Sequence, residues 1–397
     1  MSDNCQLRTV NWLLAVIVLA VGLRLALGLV EPMSTESDGG AYLAMATNLA
    51  EGNGLVDVFG NRAYYSPGYP ILLAAVFLLT GPKLGAVLAV NLMLAAVSVY
   101  MVYRVSRAAE TNIQARSASK WLQSTHSLAL RACIAGKLLS AARLSKRACR
   151  RLLPENPAGC PTEKAPEPSS RLARFAPLLA ALAWAVYVPS MAMAKVINKE
   201  NLMVPLMLAL VWIALVWPTS RRRIALAALA GLLAGLLAFT GATGCAVAGV
   251  LLIVMLVYSV NWRQYAVATG TLLFTFLLVI VPWAYRNYTV LGAPVLFTNA
   301  GFNLYLCHNP AATGWYLSIG ETPMAADWGR IKAEGGEVAA DREAARRAFA
   351  YMREYPGRTL AMFAKKAVIF WEPPYLTSNE PESIVKHIAR YVWFTEY

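Results

Sequence analysis

Long runs of apolar residues separated by short polar segments dominate the chain, and they predict membrane-spanning helices. About 20 apolar residues are needed to cross a bilayer as a helix. By this rule the sequence predicts seven spans, near residues 10–30, 84–103, 174–190, 201–217, 224–240, 244–260 and 265–284. A further apolar stretch at 68–81 is too short to span, and it predicts an interfacial or re-entrant helix.

The C-terminal part of the chain is more polar. Residues 341–358 have the amphipathic pattern of a surface helix, and residues 359–374 predict a helix that lies in the membrane interface. No full span is predicted after residue 284. Four regions follow from these patterns: the first two spans with their outer loop 31–83 (1–103), a polar loop (104–173), spans three to seven (174–284) and an outer region that ends before any further span (285–397).

Composition supports this interpretation. Of the 397 residues, 58% are hydrophobic and only 15% are charged, which is typical of a polytopic membrane protein rather than of a soluble domain. The six cysteines have no paired spacing, so neither a disulfide framework nor a zinc site is predicted. The sequence therefore predicts an all-α integral membrane protein.

The distribution of charge predicts the orientation. Residues 104–174 contain 14 Lys and Arg against four Glu, whereas the loop 31–83 contains five acidic residues against Arg62 and Lys83. Because basic loops stay on the cytoplasmic side, the loop 31–83 and everything after residue 285 are predicted to lie outside.

The basic loop itself has two interpretations. It either lies against anionic lipid and fixes the topology, or it binds nucleic acid or another partner. The absence of interleaved aromatic residues favours lipid, so no nucleic-acid partner is predicted. Its Pro-rich part, at 154–170, is predicted to be disordered.

This topology gathers ionisable residues at the outer face. Asp38 follows the first span and is succeeded by Gly39 and Gly40, which predict a flexible hinge. The other ionisable residues lie at the outer ends of the fourth and seventh spans: Glu200 with the flanking Lys195 and Lys199, and Arg286. Ionisable groups at the edges of spans are candidates for function.

Two carboxylates and several cations at one membrane face suit chemistry on a lipid-linked sugar. Cations stabilise the negative charge that develops on a lipid phosphate leaving group. A carboxylate accepts the proton of the attacking acceptor hydroxyl. Neither a P-loop nor a Rossmann fingerprint occurs in the sequence, so nothing indicates a soluble nucleotide substrate.

Several segments of the chain resemble glycosyltransferase family 39, the protein O-mannosyltransferase-like enzymes of the GT-C class. The resemblance covers most of residues 8–100 and 175–375 and rests on the order of its motifs, which are "SDGGAYLAMATNLAEGNGL", "YYSPGYPILLAAVFLLTG", "VINKENLMVPLMLAL", "GLLAGLLAFTGATG", "VPWAYRNYTVLGAPVLFTNAGFNLYLCHNPAATGWY" and "EYPGRTLAMFAKKAVIFW". It implies a multi-span helical bundle with interfacial helices and a small outer C-terminal region. It also implies inverting transfer of a sugar from a polyprenyl-phosphate donor to a lipid, glycan or protein acceptor.

The resemblance implies roles for individual residues. Asp38 matches the acid taken as the catalytic base, Glu200 a second acid of the same pocket, and Arg286 a basic residue near the lipid phosphate, with Lys195 or Lys199 as further phosphate contacts. The remaining candidates for substrate binding lie in the outer loop or in the segment after the seventh span: Tyr42, Tyr65, Pro67, Tyr69, Asn303 and Asn309. No residue is assigned to a metal. A divalent cation is used by some GT-C enzymes and not by others. The inner membrane of a bacterium is the expected location, with the active site on the periplasmic face.

The sequence also departs from the pattern of the family. Gly39 stands where the family often has a second acid or polar residue, Ser66 stands where related aminoarabinose transferases have a lysine, and members usually continue with more spans. Two other classes of function therefore remain open. A transporter or flippase of lipid-linked sugar would share the basic groove without needing Asp38 as a base, and an inactive scaffold would need no base at all.

Overall fold

The computed structural model describes residues 3–30, 33, 35, 38–141, 171–259 and 261–371, and all regular elements in these ranges are helical. The Pro-rich segment 154–170, predicted to be disordered, lies outside the described residues. The α-helices are α1 (Asp3–Val30), α2 (Asp38–Ala50), α3 (Gly68–Thr80), α4 (Leu84–Ala141), α5 (Arg171–Val186), α6 (Val188–Met193), α7 (Glu200–Val216), α8 (Arg223–Thr240), α9 (Thr243–Tyr258), α10 (Trp262–Leu291), α11 (Ala300–Cys307), α12 (Ala325–Glu354) and α13 (Pro356–Trp371).

Five helical segments in the described part of the chain are long and apolar enough to cross a membrane. They are Thr9–Val30, Leu84–Ile113, Glu200–Thr219, Arg223–Thr240 and Trp262–Leu291, and they match the first, second, fourth, fifth and seventh predicted spans. The third and sixth predicted spans correspond to shorter apolar helices, Phe175–Val186 and Thr243–Tyr258. The predicted helical fold class is confirmed at this level, since every regular element of the described residues is helical and five of the helices are long and apolar, as in a helical membrane protein.

The third predicted span is shorter than expected because the chain leaves the helix at Tyr187. This residue has an extended backbone (φ −65°, ψ 111°), and Pro189 is the second residue of the short helix α6 that follows it. In a continuous helix Pro189 would have no N–H to donate and its ring would clash with the carbonyl of Ala185, whereas proline is tolerated in the first turn of a new helix.

Helix α4 continues beyond the predicted end of the second span at residue 103. Residues 104–141 of the basic segment stay helical as far as Ala141. The segment contains no proline and is rich in Ala, Leu, Arg and Lys, all of which have high helix propensity. Low hydropathy therefore marks the end of the apolar stretch but not the end of the helix.

The most extensive helix contact joins α8 to α10. A Cβ atom on Gly231 of α8 would lie 2.2 Å from the carbonyl oxygen of Leu272, and one on Gly235 would lie 2.9 Å from Val279. The two helices approach this closely because small residues four apart leave no side chain between them. With α7 and α9 they form the largest buried core, which contains Leu210, Leu237, Leu251 and Leu272.

A buried arginine joins α1 to the end of α5. Arg24 is 1% exposed. Its Nη1 donates to the carbonyl oxygens of Ala20 at 3.1 Å and Ala185 at 2.8 Å, and its Nη2 donates to Ser190 Oγ at 2.9 Å. The last carbonyl groups of a helix lack partners within the helix. The guanidinium supplies such partners where the helix ends inside the protein.

Helices α11 and α12 form a separate core around Tyr305, Met324, Ala344 and Ala348. Helix α12 is interrupted at Gly336, whose φ of 72° lies in a region that favours glycine. The amphipathic helix predicted at 341–358 corresponds to the second half of α12, and Pro356 starts α13. The interruption divides α12 immediately before Glu337, which contacts the first outer loop.

Candidate site at the outer ends of the spans

Asp38 is the first residue of α2 and is exposed. A carboxylate at this position interacts favourably with the positive end of the helix dipole. Its Oδ1 accepts a hydrogen bond of 3.1 Å from the hydroxyl of Tyr65, which comes from the loop before α3. The side chain is thus accessible and is also held by one defined partner.

The flexible hinge predicted at Gly39 and Gly40 is wrong, because both glycines lie in the first turn of α2. A Cβ atom on Gly40 would lie 2.4 Å from the carbonyl oxygen of Thr35. Gly40 is therefore required for the close approach of the chain that enters the helix. The local structure orients Asp38 instead of leaving it on a mobile segment.

Tyr42 lies one helical turn after Asp38 and is 1% exposed. Burial raises the pKa of the Tyr42 hydroxyl far above its usual value, and the negative charges of Asp38 and then Glu200 raise it further. The charges of both carboxylates therefore act on this one hydroxyl. Glu200 begins α7, and its buried Oε2 has no hydrogen-bond partner among the described residues.

Two further tyrosines complete this group. The rings of Tyr65 and Tyr42 are 5.3 Å apart, and those of Tyr65 and Tyr64 are 5.0 Å apart, both edge to face. Burial and then the charge of Asp38 raise the pKa of both Tyr64 and Tyr65. Their hydroxyls therefore remain protonated donors at neutral pH. Asp38, Tyr42, Tyr64, Tyr65 and Glu200 are called the tyrosine–carboxylate cluster below.

The turn before α3 has a structural role in positioning the cluster. Pro67 is buried and precedes the first residue of α3. A Cβ atom on Gly68 would lie 2.4 Å from Thr240 Oγ1, so only glycine lets the start of α3 meet the end of α8. Tyr69 is 0% exposed. The turn that follows Tyr65 in the chain therefore packs against the end of α8.

Tyr69 belongs to a buried hydrogen-bond chain that ends beside Glu200. Its hydroxyl donates to Asn91 Oδ1 at 2.7 Å, and Asn91 Nδ2 donates to the carbonyl oxygens of Ala194 at 2.9 Å and Val196 at 3.1 Å. Asn91 lies on α4 and is fully buried. This chain fixes the segment that leads into α7. Asn91 is not among the residues expected at the site from the sequence. Its amide lies inside an apolar span, and this pattern indicates a hydrogen bond between helices.

Lys195 and Lys199 lie in the segment that this chain holds. Lys199 immediately precedes α7, and Ile197 between the two lysines is buried in the same core as Tyr42 and Tyr69. Both lysines are half-buried. They are therefore close in the chain to Glu200 and to the core beneath the cluster.

Arg286 makes its contacts away from Asp38. Its Nη1 donates at 2.9 Å to the carbonyl oxygen of Arg62 and at 2.9 Å to Asn287 Oδ1, and its guanidinium carbon lies 4.8 Å from the centre of the Trp283 ring. The structure thus connects Arg286 to the first outer loop three residues before Tyr65, but not to the carboxylates themselves.

Asn303 and Asn309 are placed differently from each other. Asn303 is exposed on α11, whereas Asn309 is 1% exposed, and its Nδ2 donates at 2.8 Å to the carbonyl oxygen of Tyr305. The amide of Asn309 thus donates to a backbone carbonyl group in the last turn of α11. The residue of this segment that reaches the cluster is Phe302, whose ring lies 5.7 Å from that of Tyr64.

A half-buried acid supports Phe302. Asp341 Oδ1 accepts a hydrogen bond of 2.9 Å from the backbone N–H of Phe302, and burial raises the pKa of Asp341. Its negative charge also contributes to the raised pKa of Tyr64. Asp341 was not identified from the sequence, because the helix containing it comes near the cluster only in the folded protein.

Within the described residues, no three His, Cys, Asp or Glu side chains are grouped so as to hold a metal ion. Cys245 and Cys307 are free thiols.

Comparison of the chain with family models, with curated proteins and with solved structures finds no match. The function is therefore inferred from the geometry of the cluster and from the motifs of the sequence.

Proposed function

We propose that the chain is a membrane glycosyltransferase that transfers a sugar from a polyprenyl-phosphate donor to an acceptor hydroxyl, with inversion at the anomeric carbon. The observation that supports this most is the pair of carboxylates whose charges act on the Tyr42 hydroxyl, Asp38 exposed and Glu200 with a buried unpaired oxygen. Buried polar atoms normally have a hydrogen-bond partner. A sugar hydroxyl would supply one for Glu200.

In this proposal Asp38 is the general base. Its exposed carboxylate takes the proton of the acceptor hydroxyl while the hydroxyl oxygen forms a bond to the anomeric carbon. The bond from that carbon to the phosphate oxygen breaks, and the electron pair stays on the polyprenyl phosphate. Lys195 and Lys199, in the segment that leads to Glu200, would stabilise the negative charge on the leaving group. Arg286, which contacts the first outer loop, is the third candidate for this role.

The test compares Asp38→Asn with Glu51→Gln, which removes an exposed acid at the other end of α2. Proteoliposomes receive radiolabelled polyprenyl-phosphate hexose and pentose donors in turn, and incorporation into lipid, glycan and protein fractions is measured. Asp38→Asn should lower transfer by roughly 10²–10⁴-fold, the usual contribution of a general base. Donor binding, measured in parallel, should change little, because proton removal occurs only on the way to the transition state. Glu51→Gln should transfer normally.

The other outcomes decide between the alternatives. Near-normal transfer by Asp38→Asn would remove Asp38 as the base. Movement of the labelled donor across the bilayer without transfer to any acceptor would instead support a flippase. Donor binding with neither transfer nor movement would support an inactive scaffold.

A further inference from the structure

A cavity lies at the opposite end of the bundle from the tyrosine–carboxylate cluster. Its volume is about 410 Å³, and it lies between the start of α1, the middle of α4 and the last turns of α7. A volume of this size falls within the roughly 300–1,000 Å³ of typical ligand sites. Trp212 in its wall is separated from Glu200 by about 18 Å of helix rise. The cavity is therefore distinct from the proposed active site.

Two arginines of α4 line this cavity one turn apart. Arg104 Nη1 donates to the hydroxyl of Tyr100, and its guanidinium carbon lies 4.7 Å from the centre of the Trp212 ring. Arg107 Nη1 donates to the hydroxyl of Tyr103 at the long distance of 3.5 Å. Within the described residues, neither arginine forms an ion pair with a carboxylate. Two like charges at this spacing repel each other in the absence of an anion.

The guanidinium groups retain donors for a ligand. An arginine has five N–H donors in a planar fork that matches the oxygens of a phosphate. Arg104 uses one of them for Tyr100, and its ring contact with Trp212 fixes the plane of the group. Thr111 also lines the cavity, but its hydroxyl donates at 3.0 Å to the carbonyl oxygen of Arg107, so the donors for a ligand come from the two arginines. The polar part of the cavity is therefore suited to an anion with several oxygens.

The rest of the wall is apolar. Val10 and Leu13 of α1 and Val216 of α7 complete the lining, and Val10 is 55% exposed. These residues belong to, or directly adjoin, helical segments long enough to span a bilayer. A soluble anion would leave this apolar surface uncovered, whereas a ligand with an anionic head and hydrocarbon chains would cover both parts of the wall. Basic pockets between spanning helices are suited to lipid headgroups.

We propose that this cavity binds an anionic phospholipid, with the phosphate between Arg104 and Arg107 and the acyl chains against Val10, Leu13 and Val216. The arginines contribute N–H donors and positive charge, and Trp212 keeps the Arg104 guanidinium in place. The site depends on no assumption about the sugar, the acceptor or the reaction.

The experiment reconstitutes delipidated protein in nanodiscs that contain equal amounts of phosphatidylglycerol and phosphatidylcholine. The lipids retained by the released protein are counted by native mass spectrometry. The variant Arg104→Gln/Arg107→Gln is compared with Arg221→Gln/Arg222→Gln, which removes the same charge from an exposed loop at the same end of the bundle. The preference for phosphatidylglycerol should fall roughly 5- to 30-fold in the first variant. It should stay within about twofold in the second, where the charges are exposed and screened.

A local measurement accompanies the count. Brominated phosphatidylglycerol should quench the fluorescence that Trp212 contributes, obtained as the difference between the protein and its Trp212→Phe variant. Brominated phosphatidylcholine should quench it less. Arg104→Lys/Arg107→Lys keeps both charges and should retain most of the preference for phosphatidylglycerol. Arg107→Gln alone disturbs one long hydrogen bond, so it tests the site even if the double variant does not fold.

Three results would overturn the proposal. The first is an unchanged lipid preference in folded Arg107→Gln and in the folded double variant. The second is an equal loss in Arg221→Gln/Arg222→Gln, which would indicate general surface charge. The third is displacement of the lipid by inorganic phosphate or glycerol 3-phosphate at concentrations similar to the dissociation constant of the lipid. That result would indicate that the site binds a soluble anion.

Discussion

At the scale of single residues, the hydroxyl of Tyr65 connects the first outer loop to the carboxylate of Asp38. In the proposed reaction Tyr65 has no contact with the reacting atoms, so its expected role is to position Asp38. Its raised pKa keeps the hydroxyl protonated and able to donate at neutral and mildly alkaline pH. The carboxylate of Asp38 is therefore held by a hydrogen bond while it stays exposed.

Tyr65→Phe removes this hydrogen bond and keeps the ring. We expect kcat for sugar transfer to fall roughly 10- to 100-fold, because a hydrogen bond to a charged group contributes about 1.5–3 kcal/mol. KM for the donor should change by less than about threefold. Steady-state kinetics in the proteoliposome assay separate the two parameters. A rise in KM at constant kcat would show that Tyr65 binds substrate instead, and Tyr288→Phe, at an exposed tyrosine of α10, serves as the control.

At the scale of helices, the bundle depends on glycines that sit between closely packed partners. The positions of Gly231 and Gly270 illustrate the difference, since both lie within apolar helices. A Cβ atom on Gly231 would meet the backbone of Leu272 and Thr275 Oγ1, whereas one on Gly270 would meet nothing within 4 Å. Only the first glycine is required by packing.

The same substitution should therefore have opposite effects at the two positions. Gly231→Ala forces α8 and α10 apart and should destabilise the protein by roughly 1–3 kcal/mol, the usual cost of overpacking. Gly270→Ala should be neutral or stabilise it by up to about 1 kcal/mol through helix propensity. Thermal unfolding in detergent, followed by circular dichroism, measures both. Equal midpoints for the two variants would contradict the close packing of α8 on α10.

At the scale of the whole molecule, Glu337 connects α12 to the loop of the candidate site. Its carboxylate accepts hydrogen bonds from the backbone N–H groups of Arg62 and Ala63 and from the hydroxyl of Thr298. A further bond of 2.9 Å runs from the N–H of Thr298 to the carbonyl oxygen of Ala63. The outer region thereby holds the segment that carries Tyr64 and Tyr65.

Glu337→Ala should loosen this loop without unfolding the bundle. We expect amide exchange in residues 55–66 to accelerate by about tenfold or more, since each lost partner of a polar group costs about 1–3 kcal/mol. Exchange in α8 and α10 should stay unchanged. Hydrogen exchange with mass spectrometry measures both regions. Glu334→Ala removes an acid that pairs only with Arg330 in the described part of the chain, and loosening of the loop in that variant would contradict a specific role of Glu337.

The sequence by itself determined the five long apolar helices and the positions of the charged residues at their ends. Hydropathy suffices for this because the length of a spanning helix is set by the thickness of the bilayer and not by its neighbours. It also placed Asp38 after the first span and Glu200 at the start of the fourth span. Because consecutive spans alternate in direction, these two positions are predicted at the same face of the membrane. The orientation of these ends in the membrane stays a prediction from the distribution of charge.

Only the tertiary structure decided which of these residues meet. Glu337 bonds to residues some 275 positions earlier in the chain, and Asn91 joins Tyr69 to the turn before Glu200. Arg286, expected at the same membrane face as the carboxylates, contacts the carbonyl oxygen of Arg62 in the loop that carries Tyr65. Periodicity and spacing describe one helix at a time, whereas these contacts depend on how distant helices pack. The glycine contact at Gly231 follows from the same packing, so no local pattern could specify it.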